Sequence, residues 1–399
     1  MAFRKFWIVS ELFYPDETST GYIMTRLAND MSTYPVHVIC GPKECDSLTC
    51  KSDWELPYKI HRVETINLDK NNPIKRLIRL IFLSSGMFLR GFFLIRKKDN
   101  LLIVTNPAFI VPFYALISRL KGSKLFILVH DVFPENLIPA NLIKSDRSFL
   151  FRVARSIFNW SYRQADHLIV LGRDMKDVME KKAPNTSISV IENWADIERV
   201  QPGEFLENPL IKQFQLEQKI VFTFAGNIGR VQGLEFLFNV IKQVSNKEIH
   251  FLFIGSGALL ESLKKDIEAS GIKFVTFAGA MQRSQQNTFL NAAHFGLVTL
   301  SSRLYGLGVP SKSYNIMAAG KPILFIGDKN TEIAKMVIES DCGYVFDEND
   351  EASLVSFFNE LEFSNLANFK KMGVRARKLA EARYSEKYIL GKFKDTLLG

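Results

Sequence analysis

Short apolar, β-branched runs alternate with helix-length segments along the whole chain, the pattern of parallel α/β sheets. In the first half the runs predict strands near Phe6–Phe13, Val36–Cys40, Ile60–Ile66, Leu101–Thr105, Leu125–Val129, His167–Leu171 and Ser187–Ile191. In the second half they fall near Ile220–Ala225, His250–Ile254, Lys273–Phe277, Phe295–Leu300, Ile323–Ile326 and Gly343–Phe346. Two sheets of roughly six strands suit two doubly wound, Rossmann-like domains better than one very large sheet. The break is expected near Gln201-Pro202-Gly203, giving a first domain over 1–201 and a second over 202–383. No internal repeat, low-complexity tract or heptad seam interrupts this reading.

Composition agrees with two cores: the chain has 399 residues, 47% of them hydrophobic. Phe6-Trp7-Ile8-Val9 is too short for the apolar region of a signal peptide and reads as the first strand. Four cysteines in a chain this long suggest a reducing, cytoplasmic setting. Cys40, Cys45 and Cys50 lack the tight paired spacing of zinc sites, so no metal site is expected.

The net charge of +9 is uneven. Residues 1–200 hold 28 basic and 21 acidic side chains, the remainder 23 and 21. Much of the surplus lies in 75–98, with Lys75, Arg76, Arg79, Arg90, Arg96, Lys97, Lys98 and no acid among leucines, isoleucines and phenylalanines. Such a helix could lie on an anionic membrane surface, or pack on the sheet with solvated basic ends; one face can do each. Uninterrupted apolar runs of spanning length are absent, so a transmembrane helix is not expected. No basic stripe interleaved with exposed aromatics suggests nucleic acid.

The segment from Gly308 to Pro322 carries the most chemistry. Pro310 cannot sit inside a helix and Ser311 is a good N-cap, so a helix is expected from Lys312. Free backbone N–H groups and an ammonium at that end suit a diphosphate. Ala318-Ala319-Gly320 allows close packing and a stop at the glycine. Gly226, Gly229 and Gly233 follow a strand and let backbone approach a diphosphate, with Arg230 able to clamp phosphate oxygens. Gly255-Ser256-Gly257 forms a similar strand-to-helix turn, although a lone GxG is weak evidence. In the first half Thr20-Gly21 is expected to open a helix over Tyr22–Met31. His130 ends a strand, where it either faces a ligand or serves as a structural histidine. Glu135 is either a ligand contact or base, or a solvated loop acid.

Taken in order, Glu11-Leu12-Phe13-Tyr14-Pro15, His130-Asp131-Val132-Phe133-Pro134-Glu135, Glu192-Asn193-Trp194-Ala195-Asp196, the loop after Phe224 and the Pro310-Ser311-Lys312 segment resemble the GT-B glycosyltransferases of family 4. Amino-sugar transferases of bacterial O-antigen and capsule assembly, fucosamine transferases among them, are the nearest in kind. The resemblance implies two half-sites facing a cleft, an acceptor-binding first domain, and a last helix, 384–399, crossing back to it. It implies a UDP-sugar donor, with an N-acetylated deoxy-hexosamine as the sugar, and no other cofactor. It implies a polyprenyl-diphosphate-linked acceptor at the inner face of the cytoplasmic membrane.

Departures from the family pattern matter. Asn227 and Gln232 stand where members have Arg and Lys, leaving Arg230 and Lys312 for the phosphates. Asn315 replaces the second glutamate of the Glu-x7-Glu pair, so a ribose contact would survive as an amide hydrogen bond. Glu332 matches another recurrent acid and could assist; it also reads as a first-turn glutamate on a helix dipole. With no Asp-x-Asp pair to hold a metal on the diphosphate, backbone amides, Arg230 and Lys312 are expected to stabilise the leaving group. The implied transfer is retaining, with His130 on the donor sugar. An inverting transferase with Glu135 as base, and a non-catalytic nucleotide-sugar-binding relative, stay open. A Rossmann dehydrogenase is disfavoured by the missing glycine fingerprint.

Overall fold

The computed structural model describes residues 5–16, 18–43, 56–66, 68, 73–139, 143 and 145–399, without the side chains of Pro73, Ile74 and Arg230. Cys45 and Cys50 lie outside the described residues, whereas Cys40 and Cys342 are buried free thiols.

The chain divides into two α/β units. One is Met1–Ile191 with Gly306–Gly308 and Leu390–Gly399; the other is Glu192–Tyr305 with Val309–Ile389. The division falls at 191/192, not at 201/202, because the residues between are tied to the second unit. Asp196 N–H donates to Asn315 Oδ1 (2.9 Å), and the Arg377 guanidinium donates to the carbonyls of Ile197 (3.1 Å) and Val200 (2.8 Å).

The first unit contains, in order, β1 (Phe6–Ser10), α1 (Ser19–Asp30), β2 (Val36–Cys40), β3 (Lys59–Arg62), α2 (Pro73–Leu94), β4 (Asn100–Val104), α3 (Ile110–Lys121), β5 (Lys124–Val129), α4 (Phe149–Arg163), β6 (His167–Val170), α5 (Arg173–Lys182) and β7 (Ser187–Val190). The strands form one parallel sheet in the order β3-β2-β1-β4-β5-β6-β7. β1 and β4 are buried along their full length, as their continuous apolar runs require. β1 ends at Ser10, three residues before the predicted end. α1 begins at Ser19 because Thr18 caps it, accepting from the Gly21 N–H (3.3 Å). α2 is, against expectation, long and apolar enough between Lys75 and Leu94 to cross a membrane by length and composition. It nevertheless packs on α3: the Tyr114 hydroxyl donates to the Met87 carbonyl (2.8 Å), and a Cβ on Gly91 would sit 2.6 Å from that hydroxyl.

The second unit contains α6 (Pro209–Gln213), β8 (Ile220–Ala225), α7 (Leu234–Ile241), β9 (Ile249–Ile254), α8 (Leu260–Ala269), β10 (Val275–Gly279), α9 (Gln286–Asn291), β11 (Phe295–Thr299), α10 (Lys312–Ala318), β12 (Ile323–Ile326), α11 (Glu332–Glu339), β13 (Gly343–Phe346), α12 (Glu351–Glu360) and α13 (Leu366–Arg383). Its parallel order is β10-β9-β8-β11-β12-β13. Phenylalanine rings fill the core, Phe222 stacking on Phe295 at 5.4 Å and meeting Phe358 edge-on at 5.1 Å. The small residues that end α10 and follow it serve close packing: a Cβ on Gly373 of α13 would lie 2.1 Å from the carbonyl oxygen of Gly320, two residues past the helix. The last helix, α14 (Glu386–Leu398), contributes residues 390–399 to the first unit, where Lys394 pairs with Asp30 at 2.9 Å.

Each sheet reverses its winding once, between β1 and β4 in the first unit and between β8 and β11 in the second. Ligands of doubly wound sheets bind beyond the carboxyl ends of the strands at such points. The loops after β1 and β4, with that of the adjoining β5, and the loops after β8 and β11, with that of the adjoining β9, lie at these points.

Candidate active site

In the second unit, β8 and β9 lie side by side and both turn on glycine. A Cβ on Gly255 would stand 1.9 Å from the Gly226 carbonyl oxygen, and one on Gly257 2.3 Å from that of Ile228. Gly226 (φ 143°) and Gly255 (φ 147°) also hold backbone angles that side-chain-bearing residues avoid. The two turns are joined by Ile228 N–H donating to the Ser256 carbonyl (2.9 Å). Asn227 folds over them, its amide nitrogen 2.9 Å from the Cβ position of Gly229 and its amide oxygen 2.6 Å from that of Gly257. The result is a bare, exposed backbone surface at Gly226, Asn227 and Ser256. Arg230 opens a one-turn helix after it, and its side chain lies outside the described residues.

Lys312 closes this surface from the other side. Its aliphatic stem runs along Gly226, with Cδ 4.0 Å from that glycine's Cβ position, and its ammonium stands 3.4 Å from the centre of the Phe224 ring. No carboxylate among the described residues pairs with it. Burial pulls its pKa down to about 7. The helix starts at Lys312, but Ser311 is in helical conformation and makes no capping bond. Ser313 instead ties the first turn back to the loop, its N–H and Oγ both donating to the Pro310 carbonyl (3.3 and 2.9 Å).

Two sequence candidates have other occupations. The amide oxygen of Asn315 accepts the Asp196 N–H, so it anchors the start of this unit's chain. Glu332 is the first residue of α11 and only 4% exposed.

In the first unit, Gly21 lies one turn into α1 with its N–H spent on Thr18. A Cβ there would come within 2.6 Å of the Asp16 carbonyl oxygen. The glycine therefore lets the loop after β1 close on its helix. His130 follows β5. Its backbone N–H and that of Asp131 both donate to Thr105 Oγ1, each at 3.1 Å. Its Nδ1 is 3.2 Å from Thr20 Oγ1, while Nε2 is buried without a partner. Burial holds its pKa at about 4, so the ring is neutral at physiological pH. Asp131 reaches solvent, yet the protein around it raises its carboxyl to about 6. Glu135 is held on both sides, by Lys182 Nζ at 2.6 Å and Arg155 Nε at 3.1 Å.

Sequence reading missed Thr105, Asp131 and the Phe224 ring under Lys312. Asp131 was legible as the neighbour of His130 at a strand's carboxyl end. Thr105 and Phe224 carry no local signal, since their roles arise only when strands align. Among the described residues no group of three or more His, Cys, Asp or Glu is placed to hold a metal ion.

Comparison with known proteins agrees with this architecture. The family model described as Glycosyltransferase Family 4 matches residues 19–199, and that described as Glycosyl transferases group 1 matches 219–361. The protein named probable glycosyltransferase WbjE of Pseudomonas aeruginosa is 33% identical over 98% of this chain and 96% of its own. WcaI of Escherichia coli (strain K12), whose name places it in colanic acid biosynthesis, is 22% identical over 60% of each chain. The crystal structure of Anabaena HepE with UDP-glucose superposes with a TM-score of 0.71 at 16% identity, covering 99% of both chains.

Proposed function

The chain belongs to glycosyltransferase family 4, the group 1 glycosyl transferases of GT-B fold, and on that premise we propose that it transfers a sugar from a UDP donor with retention of configuration. The family resemblance supports an N-acetylated deoxy-hexosamine as the sugar and a polyprenyl-diphosphate-linked saccharide as the acceptor. The name of WcaI supports a place in bacterial surface polysaccharide assembly.

The observation that carries the reading is Lys312. An ammonium that is mostly buried, unpaired and stacked on an aromatic ring is held in place for an anion that arrives later. The exposed backbone of Gly226, Asn227 and Ser256 beside it suits a diphosphate. In this reading the acceptor oxygen bonds to the anomeric carbon as the bond from that carbon to the diphosphate oxygen breaks. The hydroxyl proton passes to the departing diphosphate, and UDP leaves. Lys312 takes its proton from solvent when the diphosphate binds, and its full charge is then in place as negative charge develops on the leaving group. Arg230 adds a second cation. The first unit serves the acceptor and the sugar, with neutral His130 offering Nε2–H to a sugar hydroxyl when Thr20 donates to Nδ1. The ion pairs of Glu135 count against an inverting mechanism in which it acts as free base.

Titration of the purified protein with UDP, GDP and dTDP, followed by melting temperature, tests the reading. UDP should stabilise most, and Lys312→Ala should remove most of that gain. Equal stabilisation by all three, or a Lys312→Ala protein that responds to UDP as the parent does, would overturn it.

A further inference from the structure

We propose that α2, α3 and α4 form a single platform that lays the first unit on an anionic lipid surface. The three helices pack side by side with α3 in the middle. Their inner faces are core: Leu83 and Met87 of α2, Tyr114 and Ile117 of α3, Phe151 and Tyr162 of α4 are all fully buried. Their outer faces remain apolar. Of the nineteen large hydrophobic residues exposed among the described residues, thirteen lie on these helices. Phe93 is 76% exposed, Leu120 62%, Phe149 71% and Leu150 79%. Single exposed apolar residues are ordinary; a stripe on each of three neighbouring helices marks a contact surface.

Charge selects the occupant. The three helices contain nine Lys and Arg and no Asp or Glu. Arg76, Arg90, Arg119 and Arg152 reach solvent. A second copy of the chain on this face would set the cations of these helices against one another, with no acid on the helices to answer them. Lipid phosphates answer them, and acyl chains accept the phenylalanines. The platform lies on the surface and does not span it. α2 is held to α3 by the Tyr114–Met87 bond, and Arg79 is buried 3.5 Å from Glu11. Extracting α2 would strand both groups.

This inference deepens the lipid-linked acceptor reading, and its test uses neither donor nor acceptor. The full chain is sedimented with vesicles of phosphatidylcholine alone, or mixed with phosphatidylglycerol, at low and high salt. Binding is expected only with phosphatidylglycerol, weakening with salt. The triple variant Phe93→Ser, Phe149→Ser, Leu150→Ser should lose at least tenfold in partitioning. Arg76→Glu and Arg152→Glu should each lose about fivefold or more, from ~1 kcal/mol per surface cation. Melting temperature and UDP affinity should stay at parental values. Sedimentation independent of phosphatidylglycerol, a triple variant that binds like the parent, or a parent that is a dimer through this face by light scattering would each overturn the proposal.

Discussion

The ammonium of Lys312 stands 3.4 Å above the ring of Phe224, at the winding reversal of the second sheet. Two opposed effects meet there. Burial disfavours the charge and takes the pKa to about 7, while the ring's negative face favours it. The lysine is thereby half-charged near neutral pH until an anion completes its surroundings. Lys312→Met should weaken UDP binding by roughly 10- to 100-fold, the range of a hydrogen bond to a charged group. Isothermal titration at pH 7 gives that ratio directly.

Glu135 should prove to be a structural residue. Glu135→Gln leaves Lys182, 7% exposed, and Arg155 without their carboxylate. The loss should be roughly 2 kcal/mol in urea unfolding, below that of a fully buried pair because Arg155 reaches solvent. A free catalytic base would behave differently, with stability kept and turnover gone.

The touching turns of β8 and β9 should tolerate no side chain. Gly255→Ala places a methyl 1.9 Å from the Gly226 carbonyl oxygen and should cost about 2 kcal/mol or more, with UDP affinity falling alongside. Gly271→Ala is the control. That residue has φ 68° but nothing within 4 Å of its Cβ position, so only local backbone strain of ~1 kcal/mol should appear.

Acid should destabilise the fold through its histidines. His37, His130, His250 and His294 are each held near pKa 4 by burial, against 6.5 when free. Between these values the unfolded chain binds protons that the folded chain refuses. Their contribution is thus full above pH 6.5 and lost as pH falls toward 4. Asp131, raised to about 6, opposes this with a single carboxyl. The melting temperature should fall between pH 6.5 and 4.5, less steeply in His130→Gln. That variant should lose turnover while UDP affinity is kept.

Much of the architecture was legible because both sheets are parallel and their inner strands are buried, so those strands are short apolar runs bounded by polar residues. β2, β8 and β12 lie where their runs predicted. Ends were less legible. α1 starts three residues early because Thr18, not Thr20-Gly21, provides the cap. The exposed face of α4 went unread because Phe149 and Leu150 look like core residues until the helix is seen. Of the candidate site, the glycines and Lys312 could be singled out beforehand, because their neighbours in sequence announce a loop before a helix. The engagements of Asn315 with Asp196 and of Glu135 with Lys182 were not. Both join residues far apart in sequence, and no local pattern encodes such a meeting.

Proton uptake on UDP binding tests the central claim most directly. If Lys312 is largely neutral at pH 8 and is charged by the diphosphate, binding must draw protons from the buffer. Calorimetry at pH 8 in two buffers of different ionisation enthalpy should report close to one proton taken up by the parent and none by Lys312→Met. Parent and variant showing the same uptake, or a parent that takes up none, would contradict the account.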